Sequence, residues 1–195
     1  MKSRNRVAAH NLFPVSSEAA PVAFVLLVGP QASGKSILAR TLSNELRRDG
    51  ERVALIELDQ IAEMALPTLP GRDTAARILG MVAGEWARAD LTCVIAEGIA
   101  RKDEVSIVLS HVPADVALVV VALTTPLEAA LPRAEGDLTR GLSRDRDWLA
   151  ARYQEWSEEI GRVSADALVN MGVLSVDQGV RQVRAAIDAA RTVQR

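Results

Sequence analysis

Cysteine is almost absent from the chain: Cys93 is the only one in 195 residues, and His10 and His111 are the only histidines. That excludes an internal disulfide and a cysteine–histidine zinc cluster. Cys93 lies in an apolar run and reads as a buried, inert thiol. A lone cysteine fits a reducing compartment, so a cytoplasmic location is expected. Aromatic residues are also scarce at 3%, with one tyrosine and two phenylalanines beside three tryptophans, so no base-stacking platform for nucleic acid is evident. An excess of basic charge is missing too. Lys and Arg number 23 against 25 Asp and Glu, a formal charge of −2, whereas nucleic-acid scaffolds neutralise phosphates with a basic surplus. No stretch approaches the ~20 apolar residues of a membrane-spanning helix, and the longest run, Val116–Leu123, has the length of a strand. The first residues are basic but lack an apolar core, so residues 1–20 read as a flexible tail rather than a signal peptide.

What remains is an apolar-rich chain, 49% hydrophobic, long enough for one α/β domain over residues 21–195. Strand and helix patterns alternate along it. Val22–Val28 is a continuous apolar run of the kind buried on both faces. A helix follows over Lys35–Asp49, with Ile37, Leu38, Thr41, Leu42 and Leu46 on one side and Gly50 as its stop. Val53–Leu58 is the second expected strand, ending at Asp59, and a helical piece Gln60–Leu66 follows. A longer helix opens near Asp73 and carries Ile78, Leu79, Val82 and Trp86 at helical spacing, which points to core packing for Trp86, as for Trp148 and Trp156.

Leu91–Ala96 reads as a third strand ending at Glu97-Gly98, then a helix near Lys102–His111, then the strand Val116–Leu123. Thr125-Pro126-Leu127-Glu128 has the form of a capping box. Glu135–Arg144 reads as a mobile loop, Asp145–Gly161 as a helix, Ala167–Val169 as a short fifth strand, and Ser175 with Gln178 as the capping box of a last helix. Strands alternating with helices in this way predict a three-layer fold with a parallel sheet covered on both faces.

Gly29-Pro30-Gln31-Ala32-Ser33-Gly34-Lys35-Ser36 fits G-x-x-x-x-G-K-[ST], with an apolar strand before it and an amphipathic helix after it. In that setting backbone N–H groups converge on a phosphate and the helix N-terminus adds positive potential. The expected nucleotide-binding set is Gly29, Pro30, Gln31, Ala32, Ser33, Gly34, Lys35, Ser36 and Ile37. Lys35 is placed to reach the β- and γ-phosphates and Ser36 to ligate Mg²⁺, with ATP as the nucleotide.

Asp59 and Glu97 each end an expected strand, where ligands of open parallel sheets bind. One is suited to the Mg²⁺ shell and the other to accepting a proton, and residue types alone leave open which does which. Each also has a plain alternative as a solvated strand end, and Asp59 as a helix cap. Glu57 alternates to the other face of its strand. Arg133, Arg140, Arg144 and Arg146 gather around the polar loop, so a lid at about 133–147 is expected to close over transferring phosphate, with a solvated basic loop as the plain alternative. Arg101 and Lys102 follow Glu97-Gly98 and read equally as substrate contacts and as solvated surface residues.

With these pieces the chain resembles the P-loop small-molecule kinases, among them shikimate kinase, gluconate kinase and chloramphenicol phosphotransferase, with zeta-toxin and polynucleotide kinases as relatives. The resemblance covers about residues 22–190. It rests on the P-loop, on Ala54–Asp59, Val94–Gly98 and Arg133 ahead of the Arg140–Arg146 loop, and on Ala165–Asn170 followed by Gly172–Val176. It implies a five-stranded parallel sheet of order 2-3-1-4-5. It implies Asp59 as proton acceptor, Glu97 at the metal side with Ser36, Arg133 and Arg144 as lid arginines with Arg133 also on the nucleotide, and Asn170–Leu174 beside the base. Glu97 stands where many relatives carry Asp, and Leu66–Asp73 matches no substrate signature.

The expected activity is ATP-dependent transfer of the γ-phosphoryl group to a hydroxyl of a small molecule, with no membrane partner and nucleic acid only as a 5′-hydroxyl acceptor. A homodimer is compatible with this. The alternatives are an NTP-binding switch or ATPase acting through a protein partner, and a module that holds nucleotide without turnover.

Overall fold

A computed structural model describes residues 21–68, 70–137 and 141–194. The expected tail at 1–20 and residues 138–140 of the expected lid lie outside the described residues. Strands β1 (Ala23–Val28), β2 (Val53–Glu57), β3 (Cys93–Ile99), β4 (Ala117–Thr124) and β5 (Ala167–Asn170) form one parallel sheet in the order β2-β3-β1-β4-β5. The helices are α1 (Lys35–Arg48), α2 (Leu58–Glu63), α3 (Arg72–Arg88), α4 (Lys102–Leu109), α5 (Leu127–Glu135), α6 (Arg146–Glu159) and α7 (Val176–Val193).

β1 is the centre of the sheet, and all six of its residues are fully buried. Its alternate side chains build two different cores. Phe24, Leu26 and Val28 pack with Leu79 and Ala83 of α3 and Val105 and Val108 of α4. Ala23, Val25 and Leu27 pack with Leu38 and Leu42 of α1 and Val180, Val183 and Ile187 of α7. At about 1.5–3 kcal/mol for each large aliphatic side chain taken out of water, these two layers are the main stabilising force. The α/β class, the parallel sheet and the strand order expected from the sequence are those observed.

Local differences have physical causes. β2 stops at Glu57, and Asp59 lies in the first turn of α2 instead of at a strand end. Gly98 explains the early turn. It has φ of 112°, and a Cβ there would stand 2.4 Å from the Cβ of Leu58, so α2 starts hard against β3. Thr125 does not cap α5. Pro126 occupies the N-cap without a side-chain bond, and the Thr125 hydroxyl donates to the carbonyl of Ser33 at 3.0 Å. The Ser175–Gln178 capping box is present on α7 as expected. Within the expected polar loop, Gly141–Arg144 forms a 3₁₀ turn.

The helix faces differ more. Ile37, grouped by spacing with the buried face of α1, is exposed, and so is Trp86, while Trp156 is buried as expected. On α3 the buried face is Ala75, Ala76, Leu79, Gly80, Ala83, Gly84 and Ala87. A Cβ on Gly80 would lie 2.9 Å from the carbonyl oxygen of Val108, and one on Gly84 would lie 2.3 Å from that of His111. The helix therefore approaches the end of α4 through its small residues, and its large ones turn outward. No helix among the described residues is long and apolar enough to cross a membrane.

Cys93 is buried in β3, and burial pushes its thiol up to about 12, which fits the inert thiol expected. At the far end of the sheet, Arg191 of α7 donates to both carboxylate oxygens of Glu51 at 2.9 and 2.7 Å and to the carbonyl of Thr92 at 2.8 Å. Burial alone would push the Glu51 carboxyl up, but the hydrogen bonds and charge of Arg191 outweigh it and hold it below its ordinary value. A folded-state pKa below the unfolded one adds stability above the ordinary carboxylate range, and that stability is lost as pH falls through the lowered value. Glu51→Gln is therefore expected to cost about 1–3 kcal/mol at pH 7. Denaturant unfolding should show the variant and the parent converging in acid, and an equal gap at both pH values would remove the ion pair from the account.

Candidate nucleotide-binding site

β1 delivers the chain to Gly29, whose N–H donates to the carbonyl of Ile99 at 2.9 Å. A Cβ at Gly29 would stand 2.9 Å from the carbonyl oxygen of Leu123, so only glycine lets the chain leave the sheet there. Two residues of the loop have left-handed backbone, Ala32 with φ of 58° and Gly34 with φ of 100°. For alanine that conformation costs about 1–2 kcal/mol. Strain of this kind in a tight loop turns successive N–H groups to one side. Gly34 is also the N-cap of α1 and supplies no side-chain bond, which leaves the first N–H groups of the helix facing the concavity. Beneath the loop, the Thr125–Ser33 bond anchors its backbone to the end of β4.

Lys35, Ser36 and Glu97 come together at this loop. Lys35 is buried, and its Nζ donates to the carbonyls of Gly29 and Pro30, each at 2.8 Å. The Ser36 hydroxyl donates to Oε1 of Glu97 at 2.9 Å. Glu97 is only 3% exposed. Burial raises its carboxyl above the ordinary value, with the charges of Asp59 and Glu57 adding to the rise, while Lys35 and the Ser36 bond oppose it.

Glu57 was expected on the opposite face, yet it is the register partner of Glu97 across β2 and β3, so both side chains point to the α1 side. Arg40 of α1 holds it with a two-pronged bond of 2.8 and 2.7 Å. Asp59 is exposed on the first turn of α2, close enough for its charge to act on Glu97 and on Arg72. Arg133 is exposed in the last turn of α5, and its Nη2 donates weakly, at 3.4 Å, to the carbonyl of Met171. Met171 in turn packs over Gly34. Arg144 is exposed in the 3₁₀ turn before α6. The backbone after β5 folds tightly, with the Asn170 side chain accepting from the N–H of Gly172 at 2.9 Å.

A cleft of about 200 Å³ opens beside Pro30 and Gln31 of the loop. Arg72, Arg101, Arg152, Glu155, Glu158 and Glu159 line its other walls. Glu104 organises one wall. It is fully buried, accepts from the N–H groups of Ala100 and Arg101, and binds Arg72 through both carboxylate oxygens. The sequence singled out Arg101 alone of this group. Arg72, Glu104 and Arg152 fall on three helices with no motif joining them, although Glu104 at the third position of α4 is a capping signal.

Among the described residues no group of three or more His, Cys, Asp or Glu side chains forms a metal cage. Ser36 and Glu97 instead offer two hard oxygen ligands beside a phosphate cradle. Mg²⁺ is commonly held in that way, by one or two protein oxygens together with phosphates and water.

Comparison with known proteins bears on the family and the fold. A family model described as an AAA domain matches residues 24–136, more than half of the chain. A comparison with curated proteins finds no match. Among solved structures, the APS kinase of Mycobacterium tuberculosis, in complex with AMPPNP and APS, is 16% identical with a TM-score of 0.63, covering 86% of this chain and 98% of that one. The shikimate kinase of Aquifex aeolicus is 17% identical with a TM-score of 0.55, covering 85% and 96%. A gluconokinase of Sinorhizobium meliloti is 15% identical with a TM-score of 0.58, covering 91% and 97%. At these identities the likeness shows the fold. The chain belongs to the AAA-domain family of P-loop proteins, and its fold is that of the P-loop small-molecule kinases.

Proposed function

We propose that the protein is an ATP-dependent kinase that transfers the γ-phosphoryl group to a hydroxyl of a small molecule held in the cleft beside Pro30 and Gln31. One observation carries this reading: the phosphate loop and the arginine-lined cleft share those two residues, so a triphosphate and an acceptor would meet at one point. A device built only to hydrolyse nucleotide has no need of a second walled site there. The solved kinases named above act on APS, shikimate and gluconate, which supports a small-molecule acceptor without naming it.

In this reading the N–H groups of Gly29–Ser36 and of the first turn of α1 bind the phosphates. Lys35 exchanges its bonds to the Gly29 and Pro30 carbonyls for the β- and γ-phosphate oxygens. Ser36 and Glu97 would hold Mg²⁺, which supplies charge neutralisation on the phosphates when bound. Asp59, exposed on α2 with its charge acting on Arg72, orients the acceptor hydroxyl and takes its proton as the oxygen attacks phosphorus and ADP leaves. Arg101 fixes the acceptor in the cleft. Arg133 and Arg144, in a lid at 133–147, close over the transferring group and exclude water.

The experiment is a steady-state ADP assay with and without a panel of hydroxylated metabolites. ADP formation should depend on the acceptor. Lys35→Ala should lower kcat by about 10²–10³-fold, and Asp59→Asn by about 10²-fold or more with little change in KM for ATP. Arg101→Ala should raise the acceptor KM and leave that of ATP unchanged. ADP formation that ignores every acceptor but rises with an added protein would replace the kinase with a partner-driven ATPase.

A further inference from the structure

α3 buries small residues and exposes large ones. On its outward side Ile78, Met81, Val82 and Trp86 are 39%, 53%, 37% and 47% exposed. Ile78, Val82 and Trp86 follow one another at intervals of four and form a single ridge; Arg77, Met81 and Glu85 form the ridge beside it. The second ridge is charged oppositely at its two ends with an apolar centre. It is therefore complementary to its own reversal. A two-fold axis near Met81 and Val82 sets Arg77 of one copy against Glu85 of the other, twice over, and brings Ile78 toward Trp86. Among the described residues Glu85 is otherwise engaged only by Arg88, at 3.3 Å on an exposed surface, a contact that holds it loosely.

We propose that this face is a homodimer interface in which α3 of one copy packs antiparallel against α3 of a second. Isologous contacts require a patch that complements itself under a two-fold axis, and an arbitrary protein partner imposes no such antisymmetry on Arg77 and Glu85. Met81 and Val82 at the axis, flanked by Ile78 and Trp86 and bordered by charges, have the composition of an interface patch. Ridges spaced four apart on both helices interdigitate at a crossing of about 50°. A stable interface buries about 800 Å² on each partner. Four half-exposed side chains supply only part of that, so a weak, concentration-dependent dimer is expected. The reading is independent of the phosphoryl-transfer proposal.

Sedimentation of the full chain across the micromolar range tests it. The parent chain should pass from monomer to dimer. Val82→Glu, Arg77→Glu and Glu85→Arg should each weaken the dimer by about tenfold or more, which is about 1.4 kcal/mol, with unchanged thermal melts showing that the exposed substitutions leave the fold intact. An equimolar mixture of Arg77→Glu and Glu85→Arg chains should dimerise again, because each variant charge then meets its opposite. A parent chain that stays monomeric throughout overturns the proposal and leaves the face for a different protein. So does a dimer indifferent to the three substitutions, or a mixture that stays as weak as the single variants.

Discussion

The hydrogen bond from Ser36 to Glu97 is the contact on which the rest of the site depends. It joins the first turn of α1 to the middle strand pair of the sheet, and it does so at a carboxylate that is almost wholly buried. A carboxylate in that position is costly unless donors and cations surround it. Ser36 supplies the donor and Lys35 the positive charge, and the Arg40–Glu57 pair lies alongside on the same face. The bottom of the phosphate loop is thus tuned electrostatically as well as shaped sterically. Burial and two nearby carboxylates leave Glu97 poised above its ordinary value, a state that an incoming cation would relieve.

The same economy shapes the cleft. Glu104 is buried at the start of α4 and does two jobs, capping the helix and gripping Arg72. Its carboxylate thereby sets the position of the first residue of α3 relative to the loop after β3. Arg72, Arg101 and Arg152 offer planar, multidentate donors, while Glu155, Glu158 and Glu159 balance their charge. The lining therefore offers directional hydrogen-bond donors with little net charge.

Much of this is legible in the sequence because the signals are local. The apolar run of β1, the glycines at 29 and 34 and the capping box at Ser175 each act within a few residues, and each stands where it was expected. Signals that act across the fold were harder to see. Glu57 joins Glu97 because the two are register partners on β2 and β3, and α2 can begin directly after Glu57 because Gly98 has no Cβ to meet Leu58. Thr125 looks like a helix cap but serves the loop ninety-two positions earlier. The burial of α3 is inverted relative to its hydrophobic spacing, since close approach to α4 favours alanine and glycine over isoleucine and tryptophan. The cleft beside Pro30 and Gln31 draws on helices far apart in the chain, so no spacing rule could assemble it.

The most direct test follows the γ-phosphate itself. With γ-labelled ATP, the purified chain and a metabolite extract, the account predicts that label accumulates in an organic phosphate ester that Lys35→Ala cannot form. Label appearing solely as inorganic phosphate, at the same rate with and without extract, would contradict it.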